Sequence, residues 1–304
     1  MIVVVAPGQG SQTPGFLAPW ITDPVHRERL ERYSDAAGID LVKHGTVSNA
    51  ETIRDTSIAQ PLIVAASLVS AAAVLDRRRD RVGAVAGHSV GEFAAAAIAG
   101  VISDDDALRL VRERGLAMAD AAAAVPTGMS AVLGGDEAAL LSRLAELGLE
   151  PANMNGGGQT VVAGELPGLE ALAADPVAGT RVIPLQVAGA FHTSYMSAAA
   201  DRLRSAAGSV EAHDPSIRLY TNRDGRLVDS GDRFVELLIG QVSSPVRWDL
   251  CMQSFAADGV TGIIELLPAG ALMGLAKRAL KGVPTVAVKT PDDLAAAIEM
   301  LENA

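Results

Sequence analysis

A serine flanked by two glycines is the residue of this chain best suited to act as a nucleophile. The segment GHSVG spans residues 87–91, directly after a short apolar stretch and directly before a stretch of helical period. The glycines permit a tight turn from strand to helix, which lifts the Ser89 hydroxyl out of the backbone. The turn leaves the amide of Val90 at the helix N-terminus, where it can stabilise a developing negative charge. The pattern therefore predicts covalent catalysis by Ser89.

A nucleophilic serine needs a base, which is most often a histidine. The chain has five histidines. His192 is the best candidate, because it follows residues 188–190, where we expect the chain to pass between two domains, and so lies at the rim of the cleft. His88 adjoins Ser89 but should point elsewhere, so we expect it to be structural. The other three stand among polar or charged neighbours and are expected at the surface: His26, His44 and His213.

A glycine-rich segment, PGQGSQ at residues 7–12, follows the first apolar stretch. It does not fit a dinucleotide-binding loop, because Thr13 stands at the third glycine of G-x-G-x-x-G. It does not fit a P-loop either, because no Gly-Lys-Ser/Thr follows. Amides in such a turn can supply a second oxyanion donor, with Gln9 as the natural candidate. A plain tight turn is the alternative.

One arginine falls on the apolar side of a predicted helix over residues 104–123. The apolar residues of this helix recur at i, i+3, i+4 and i+7, and Arg114 lies within that stripe. A buried guanidinium is costly unless it meets an anion, and its planar fork matches a carboxylate. The spacing leaves two partners equally open, an internal Asp or Glu and the carboxylate of a substrate.

Short β-branched segments that alternate with helical ones predict the elements that position these residues. Such alternation predicts a mostly parallel sheet covered by helices on both faces. Within residues 127–188 the order becomes β-α-β-β-α-β, which is typical of a ferredoxin-like fold. We therefore predict an α/β protein with a discontinuous large domain, residues 1–126 and 189–304, and an inserted small domain, residues 127–188. A ligand is expected in the cleft between them.

Composition excludes several classes of function. The 304 residues carry 25 Lys and Arg against 36 Asp and Glu, a net charge of −11, which disfavours nucleic acid and anionic membranes. One cysteine excludes an internal disulfide framework and a Cys-cluster metal site, as suits a reducing compartment. The N-terminus lacks the features of a signal peptide, and the apolar run at 93–102 is too short to span a membrane. We expect a cytoplasmic monomer.

Five motifs together resemble the malonyl-CoA:acyl carrier protein transacylase family, in the family's order and over nearly the whole chain. They are PGQGSQ at 7–12, GHSVGE at 87–92, VRERG at 111–115, GAFH at 189–192 and SPVRW at 244–248. The family's fold is an α/β-hydrolase-like body with a ferredoxin-like insertion. One departure is LLPA at 266–269, where the family usually reads Gly-Pro-Gly after its glutamate.

The resemblance implies a role for each matching residue. Ser89 would be the nucleophile and His192 the base, with the main-chain carbonyl of Gln241 orienting the histidine. Arg114 would bind the malonyl carboxylate. In related acyltransferase domains of polyketide synthases, a Phe at the position of Phe191 accompanies malonyl selection. The remaining matches are the amides of the oxyanion hole and two polar residues near the site: Gln9, Val90, Asn153 and Asn155.

The implied reaction moves a malonyl group from malonyl-CoA to the phosphopantetheine thiol of an acyl carrier protein, through a malonyl-serine, for fatty-acid or polyketide synthesis. No metal or dissociable cofactor is required. Because such carriers are acidic, docking needs a local basic patch, for which we select four residues: Arg181, Lys277, Arg278 and Lys281. A serine hydrolase or thioesterase is the alternative, although it should supply an acidic partner for its histidine. A non-catalytic acyl-binding subunit is disfavoured because Ser89, His192 and Arg114 are all present.

Overall fold

The computed structural model describes residues 1–303, which form two sheets. Residue 304, the last of the predicted segment 189–304, lies outside the described residues. The larger sheet has six strands in the order β10-β9-β1-β2-β7-β8, and only the β7–β8 pair is antiparallel. Its strands are β1 (Ile2–Ala6), β2 (Ala84–Gly87), β7 (Leu219–Tyr220), β8 (Leu227–Val228), β9 (Gly262–Glu265) and β10 (Thr285–Ala287).

Helices cover both faces of the larger sheet, which explains why β1, β2 and β9 are buried at every position and read as continuous apolar runs. Asp23, Asp55 and Ser103 each accept a main-chain hydrogen bond and so cap the helix that follows. The helices are α1 (Pro24–Ala37), α2 (Leu41–Thr46), α3 (Thr56–Val74), α4 (Gly91–Ala99), α5 (Asp104–Ala124), α8 (Ser197–Ala207), α9 (Gly231–Gln241), α10 (Trp248–Ala257), α11 (Ala271–Ala279) and α12 (Leu294–Glu302).

The smaller sheet is antiparallel throughout and has the order β4-β5-β3-β6. With its two helices it follows the β-α-β-β-α-β order of a ferredoxin-like fold. Its elements are β3 (Thr127–Gly134), α6 (Glu137–Glu146), β4 (Glu150–Gly156), β5 (Gln159–Glu165), α7 (Leu166–Ala174) and β6 (Thr180–Pro184). The architecture confirms the predicted fold class, an α/β-hydrolase-like parallel sheet with a ferredoxin-like insertion.

Three local features differ from what the sequence pattern indicates. The β-branched segment 217–221 favours a five-residue strand, but β7 is only two residues long and pairs with β8, which no sequence pattern indicates. Thr127 and Gly128 favour a linker at the start of the smaller domain, but they pair with β5. The segment 181–187 favours one strand, but β6 ends at Pro184. Residues 185–187 leave the sheet and line a cavity instead.

Helix α3 has the length and hydropathy of a membrane span, and 78% of its most apolar window is buried inside the protein. Ser67 and Ser70 interrupt its apolar residues. Its buried face joins the main hydrophobic core with residues from β1, α4 and α5. A helix that is apolar on nearly all sides is typical of a core helix as well as of a membrane span.

The backbone after β9 follows a defined path despite the departure at 266–269. Both carboxylate oxygens of Glu265 accept hydrogen bonds from the first turn of α11, at 2.9 Å from Leu272 N and 3.0 Å from Met273 N. Ala269 lies in the left-handed region, with φ +56°. Such a conformation favours glycine, the residue usual in the family at this point.

Candidate active site

Ser89 lies on a tight turn between β2 and α4, with φ +53°. A left-handed conformation costs a residue with a Cβ about 1–2 kcal/mol, so the surrounding structure must hold it. The two flanking glycines are required by packing. A Cβ on Gly87 would lie 2.1 Å from Gly91 C, and one on Gly91 would lie 2.2 Å from Ala6 O. The turn therefore matches the predicted nucleophile elbow.

His192 is within hydrogen-bond distance of the serine. Its Nε2 lies 2.6 Å from Ser89 Oγ, and its Nδ1 lies 2.8 Å from the main-chain oxygen of Gln241. Since a carbonyl oxygen only accepts, we assign the proton to Nδ1, which leaves Nε2 free to accept from the serine. Burial, followed by the nearby Arg114 cation, lowers the pKa of His192 to about 3. The imidazole is therefore neutral at physiological pH, as a base must be.

Arg114 projects from α5 into the same site and is only 1% exposed. Its Nη1 donates to Gln60 Oε1 at 2.5 Å, and its Nη2 donates to Gln241 Oε1 at 3.0 Å and lies 3.4 Å from Ser89 Oγ. Its Nε, though buried, has no hydrogen-bond partner among the described residues. Both direct acceptors are neutral amides, so the internal carboxylate partner that the sequence left open does not contact it. Burial lowers the pKa of Arg114 to about 10, and the group remains a cation.

The two predicted oxyanion donors, Gln9 and Val90, both line the cavity that contains Ser89. Val90 is the N-cap residue of α4, so its amide lies at the positive end of the helix dipole. The side chain of Gln9 donates to Arg54 O at 3.2 Å, which ties the glycine-rich turn to residues before α3. The main-chain amides of both residues donate no hydrogen bond within residues 1–303. They therefore have the capacity to bind an oxyanion.

The cavity has a volume of about 460 Å³ and lies between the two sheets. Phe191, Asn153 and Asn155 line it, as do the smaller-sheet residues Met129 and Val161. Asn155 Oδ1 lies 2.9 Å from Nε2 of His88, so the His88 ring nitrogen on this side bonds to Asn155. Of the five histidines only His88 and His192 reach the cavity.

Three buried polar residues of the site have roles that sequence reasoning missed: Gln60, Glu92 and Asn222. Gln60 accepts from Arg114, and Asn222 Oδ1 accepts from Ser89 N at 2.8 Å. Burial raises the pKa of Glu92 to about 8, although hydrogen bonds from Asn222 and Gln241 oppose the shift. Glu92 ends the motif GHSVGE and could have been singled out as a carboxyl on an apolar helix. Asn222 lies two residues after β7, and no pattern in the sequence around it marks it as part of the site.

No three His, Cys, Asp or Glu side chains within residues 1–303 are grouped so as to hold a metal ion. That the reaction requires no metal or dissociable cofactor stays a prediction.

Comparison with known proteins connects this geometry to a family. Residues 3–292 match the family described as the acyl transferase domain. The malonyl CoA-acyl carrier protein transacylase of Mycobacterium tuberculosis H37Rv is 52% identical over 297 residues, which cover 97% of this chain and 98% of that protein. A crystal structure of MCAT from Mycobacterium tuberculosis has a TM-score of 0.95 and 51% identity, and the match covers 98% of this chain and 99% of that one.

A third relative was solved as a type II polyketide synthase acyl carrier protein in complex with its malonyl-transacylase. It has a TM-score of 0.90 and 30% identity, and the match covers 98% of this chain and 99% of that chain. The matches extend over nearly all of the chain, and the fold brings residues of four of the five motifs together in one cavity, which residues 244–248 do not line. The chain belongs to the malonyl-CoA:acyl carrier protein transacylase family of acyltransferases.

Proposed function

We propose that this protein transfers a malonyl group from malonyl-CoA to the phosphopantetheine thiol of an acyl carrier protein. The observation that carries the proposal is the position of Arg114, a buried cation whose Nη2 is 3.4 Å from Ser89 Oγ. A short acyl group on Ser89 would extend beside this guanidinium, and a terminal carboxylate would satisfy it. Two amides, Gln60 and Gln241, already fix the orientation of the guanidinium.

In the first step Ser89 Oγ attacks the thioester carbonyl as its proton passes to Nε2 of His192. The negative charge that develops on the carbonyl oxygen is stabilised by the amides of Gln9 and Val90. The C–S bond then breaks, and His192 returns its proton to the departing CoA thiolate. The products are CoA and a malonyl-serine ester.

In the second step the thiol of the carrier loses its proton to His192 and attacks the ester carbonyl. The C–O bond to Ser89 breaks, and the serine oxygen recovers the proton. Because the main-chain carbonyl of Gln241 fixes the imidazole, the same nitrogen serves as base and acid in both steps. We propose that no metal or dissociable cofactor takes part.

For the carrier we propose docking at the basic patch formed by Arg181, Lys277, Arg278 and Lys281, all of which are exposed. Arg181 pairs with Leu133 across β6 and β3, and Leu133 pairs with Gln159 of β5. The turn that precedes Gln159 contains Gly157 and packs on the side chain of Arg278. A Cβ placed on Gly157 would lie only 3.1 Å from the Cβ of Arg278. The patch therefore borders the strand end that lines the cavity. Reversal of these charges should raise the KM for the carrier and leave acylation by malonyl-CoA unchanged.

Intact-protein mass spectrometry after mixing with malonyl-, methylmalonyl- or acetyl-CoA tests the function. We expect a malonyl adduct on Ser89 that a phosphopantetheine thiol removes. Steady release of free malonate as the main reaction would instead indicate a hydrolase, and absence of any adduct would indicate a binding subunit. We also propose that the protein acts as a cytoplasmic monomer, and sedimentation at working concentration checks the oligomeric part.

A further inference from the structure

Glu92 is a buried carboxyl that the proposed mechanism does not use. It lies three residues after Ser89, in the first turn of α4, and is 1% exposed. One oxygen accepts from the main-chain N–H of Asn222 at 2.6 Å, and the other accepts from Nε2 of Gln241. All its hydrogen-bond partners are uncharged, so Glu92 orients polar groups and does not neutralise a cation directly.

The contact with Glu92 decides which way the Gln241 amide faces. In its ionised state Glu92 can only accept, so the nitrogen of the Gln241 amide lies on that side and donates to it. The oxygen of the amide then faces Arg114, whose Nη2 donates to it at 3.0 Å. Were the amide reversed, its NH₂ group would face the guanidinium and two donors would meet. Glu92 thus holds Gln241 in the orientation that Arg114 requires.

The same Gln241 nitrogen donates to the main-chain oxygen of Ser89 at 3.1 Å. That carbonyl and the N–H of Val90 belong to one peptide plane and point in opposite directions. A hydrogen bond that fixes the carbonyl therefore fixes the direction of the Val90 N–H. One side chain, that of Gln241, in this way orients both the cation for the acyl carboxylate and a donor of the oxyanion hole.

Asn222 holds the elbow from its other side. Its Oδ1 accepts from Ser89 N at 2.8 Å, and its Nδ2 donates to Gly87 O at 2.7 Å. Both bonds join the side chain to the backbone on either side of residue 88, where the chain turns into the left-handed conformation of Ser89. Asn222 is fully buried, so water does not compete for these bonds.

We propose that Glu92 and Asn222 are positioning residues of the acyl transfer, Glu92 acting through the side-chain amide of Gln241 and Asn222 acting through the backbone of the elbow. The inference rests on the proposed function. The two residues have different effects. Glu92 maintains recognition of the acyl carboxylate in addition to the oxyanion donor, whereas Asn222 maintains the geometry of the nucleophile for any acyl group.

Glu92→Gln tests the first part. The rates of acyl-enzyme formation from malonyl-CoA and acetyl-CoA are compared above pH 8, where the Glu92 carboxyl, whose pKa is raised to about 8, is ionised. Since the main-chain N–H of Asn222 cannot change its direction, the oxygen of the new amide must face it, and the new NH₂ faces Gln241. Gln241 then turns its own NH₂ toward Arg114. We expect the malonyl-to-acetyl rate ratio to fall by ~10-fold or more. An unchanged ratio would overturn the role of Glu92.

Gln241→Ala keeps the main-chain carbonyl that holds His192 but removes the amide, so it should lower the ratio as well. If Glu92 acts through Gln241, the double variant should have the ratio of Gln241→Ala alone. Independent, multiplying losses would contradict the proposal. Gln241→Ala also keeps the test decisive if Glu92→Gln fails to fold, because an unchanged ratio in Gln241→Ala would refute the link.

Asn222→Ala should lower kcat for malonyl-CoA and acetyl-CoA alike, by ~10- to 100-fold, and leave KM and the ratio unchanged. Full activity in this variant would overturn its role. Glu265→Gln is the matched control, since it alters another buried carboxyl that accepts main-chain N–H groups but forms no hydrogen bond with Gln241 or Asn222. It should lower the melting temperature without a change in the ratio. Absence of a malonyl adduct on the unmodified protein would refute the proposed function instead.

Discussion

The main-chain oxygen of Gln241 accepts a hydrogen bond from Nδ1 of His192 at 2.8 Å, and this peptide group takes the place of the acidic third member of many serine triads. A carbonyl fixes the tautomer of the imidazole as a carboxylate would, but it adds no full negative charge to stabilise an imidazolium. Burial and the Arg114 cation therefore lower the pKa of His192, and no carboxylate bonded to the imidazole raises it again. The result is a base that stays neutral well into the acid range.

Acylation should accordingly keep its rate as the pH falls through the ordinary range of histidine titration. Because the pKa of His192 in the free enzyme is lowered to about 3, the acid limb of kcat/KM should lie well below pH 6.5. Rapid-quench measurement of malonyl-enzyme formation across this range checks it. An acid limb of kcat/KM with its midpoint near pH 6.5 would contradict the buried environment of the His192 imidazole.

The same depressed pKa has a consequence for stability. Between about pH 3 and pH 6.5, His192 is protonated in the unfolded chain and neutral in the folded chain. Protonation therefore favours the unfolded chain, and the free energy of unfolding decreases as the pH falls through this range. His192→Ala should therefore flatten the dependence of melting temperature on pH in this window.

Ser89→Ala should abolish the acyl adduct, and His192→Ala should slow its formation by at least ~10². The double variant should be little worse than Ser89→Ala alone, because a base without its nucleophile has nothing to activate. The adduct is measured by intact-protein mass spectrometry. Multiplying losses would mean that His192 supports the structure and not the reaction.

Arg114→Ala should separate malonyl transfer from general acyl transfer. Leaving the malonyl carboxylate unpaired in a buried site costs ~2–5 kcal/mol, or roughly 30-fold to several thousand-fold in rate. Acetyl-CoA lacks the carboxylate and should lose nothing at this contact. The ratio of the two acylation rates is the measurement, and Arg109→Ala on the solvated face of α5 is the control. A parallel fall for both thioesters in a folded protein would argue against carboxylate recognition.

Phe191→Ser should improve methylmalonyl transfer relative to malonyl. The ring is buried against the cavity directly before His192, where an α-methyl group would need space. One methyl group is worth only ~1–3 kcal/mol, so the preference should shift and need not invert. Acylation from a mixture of the two thioesters measures it. Phe191→Leu keeps most of the bulk and should leave the ratio near that of the unmodified protein.

Much of this site could be predicted because its chemistry is local in sequence. The elbow needs glycines within two residues of Ser89, and Arg114 stands out against the apolar stripe of its own helix. Glu92 and Asn222 meet across 130 positions. No pattern of spacing encodes such a contact, since it depends on β2 and β7 being neighbours in the sheet. The end of β6 at Pro184 likewise depends on tertiary structure, because residues 185–187 line the cavity and do not extend the strand.

The cavity wall is divided between the two sheets. Ser89, His192 and Arg114 all belong to the part of the chain outside the smaller sheet, whereas Met129 and Val161 belong to that sheet and face the same space. The reacting groups and part of the surface that an acyl chain meets are thus carried by separate bodies. Substitutions in one body can reshape the room available to the substrate while the other keeps its catalytic geometry. The smaller sheet can consequently change the shape of the cavity by substitution, whereas Arg114 and Phe191, which are proposed to select the acyl group, belong to the same body as Ser89 and His192.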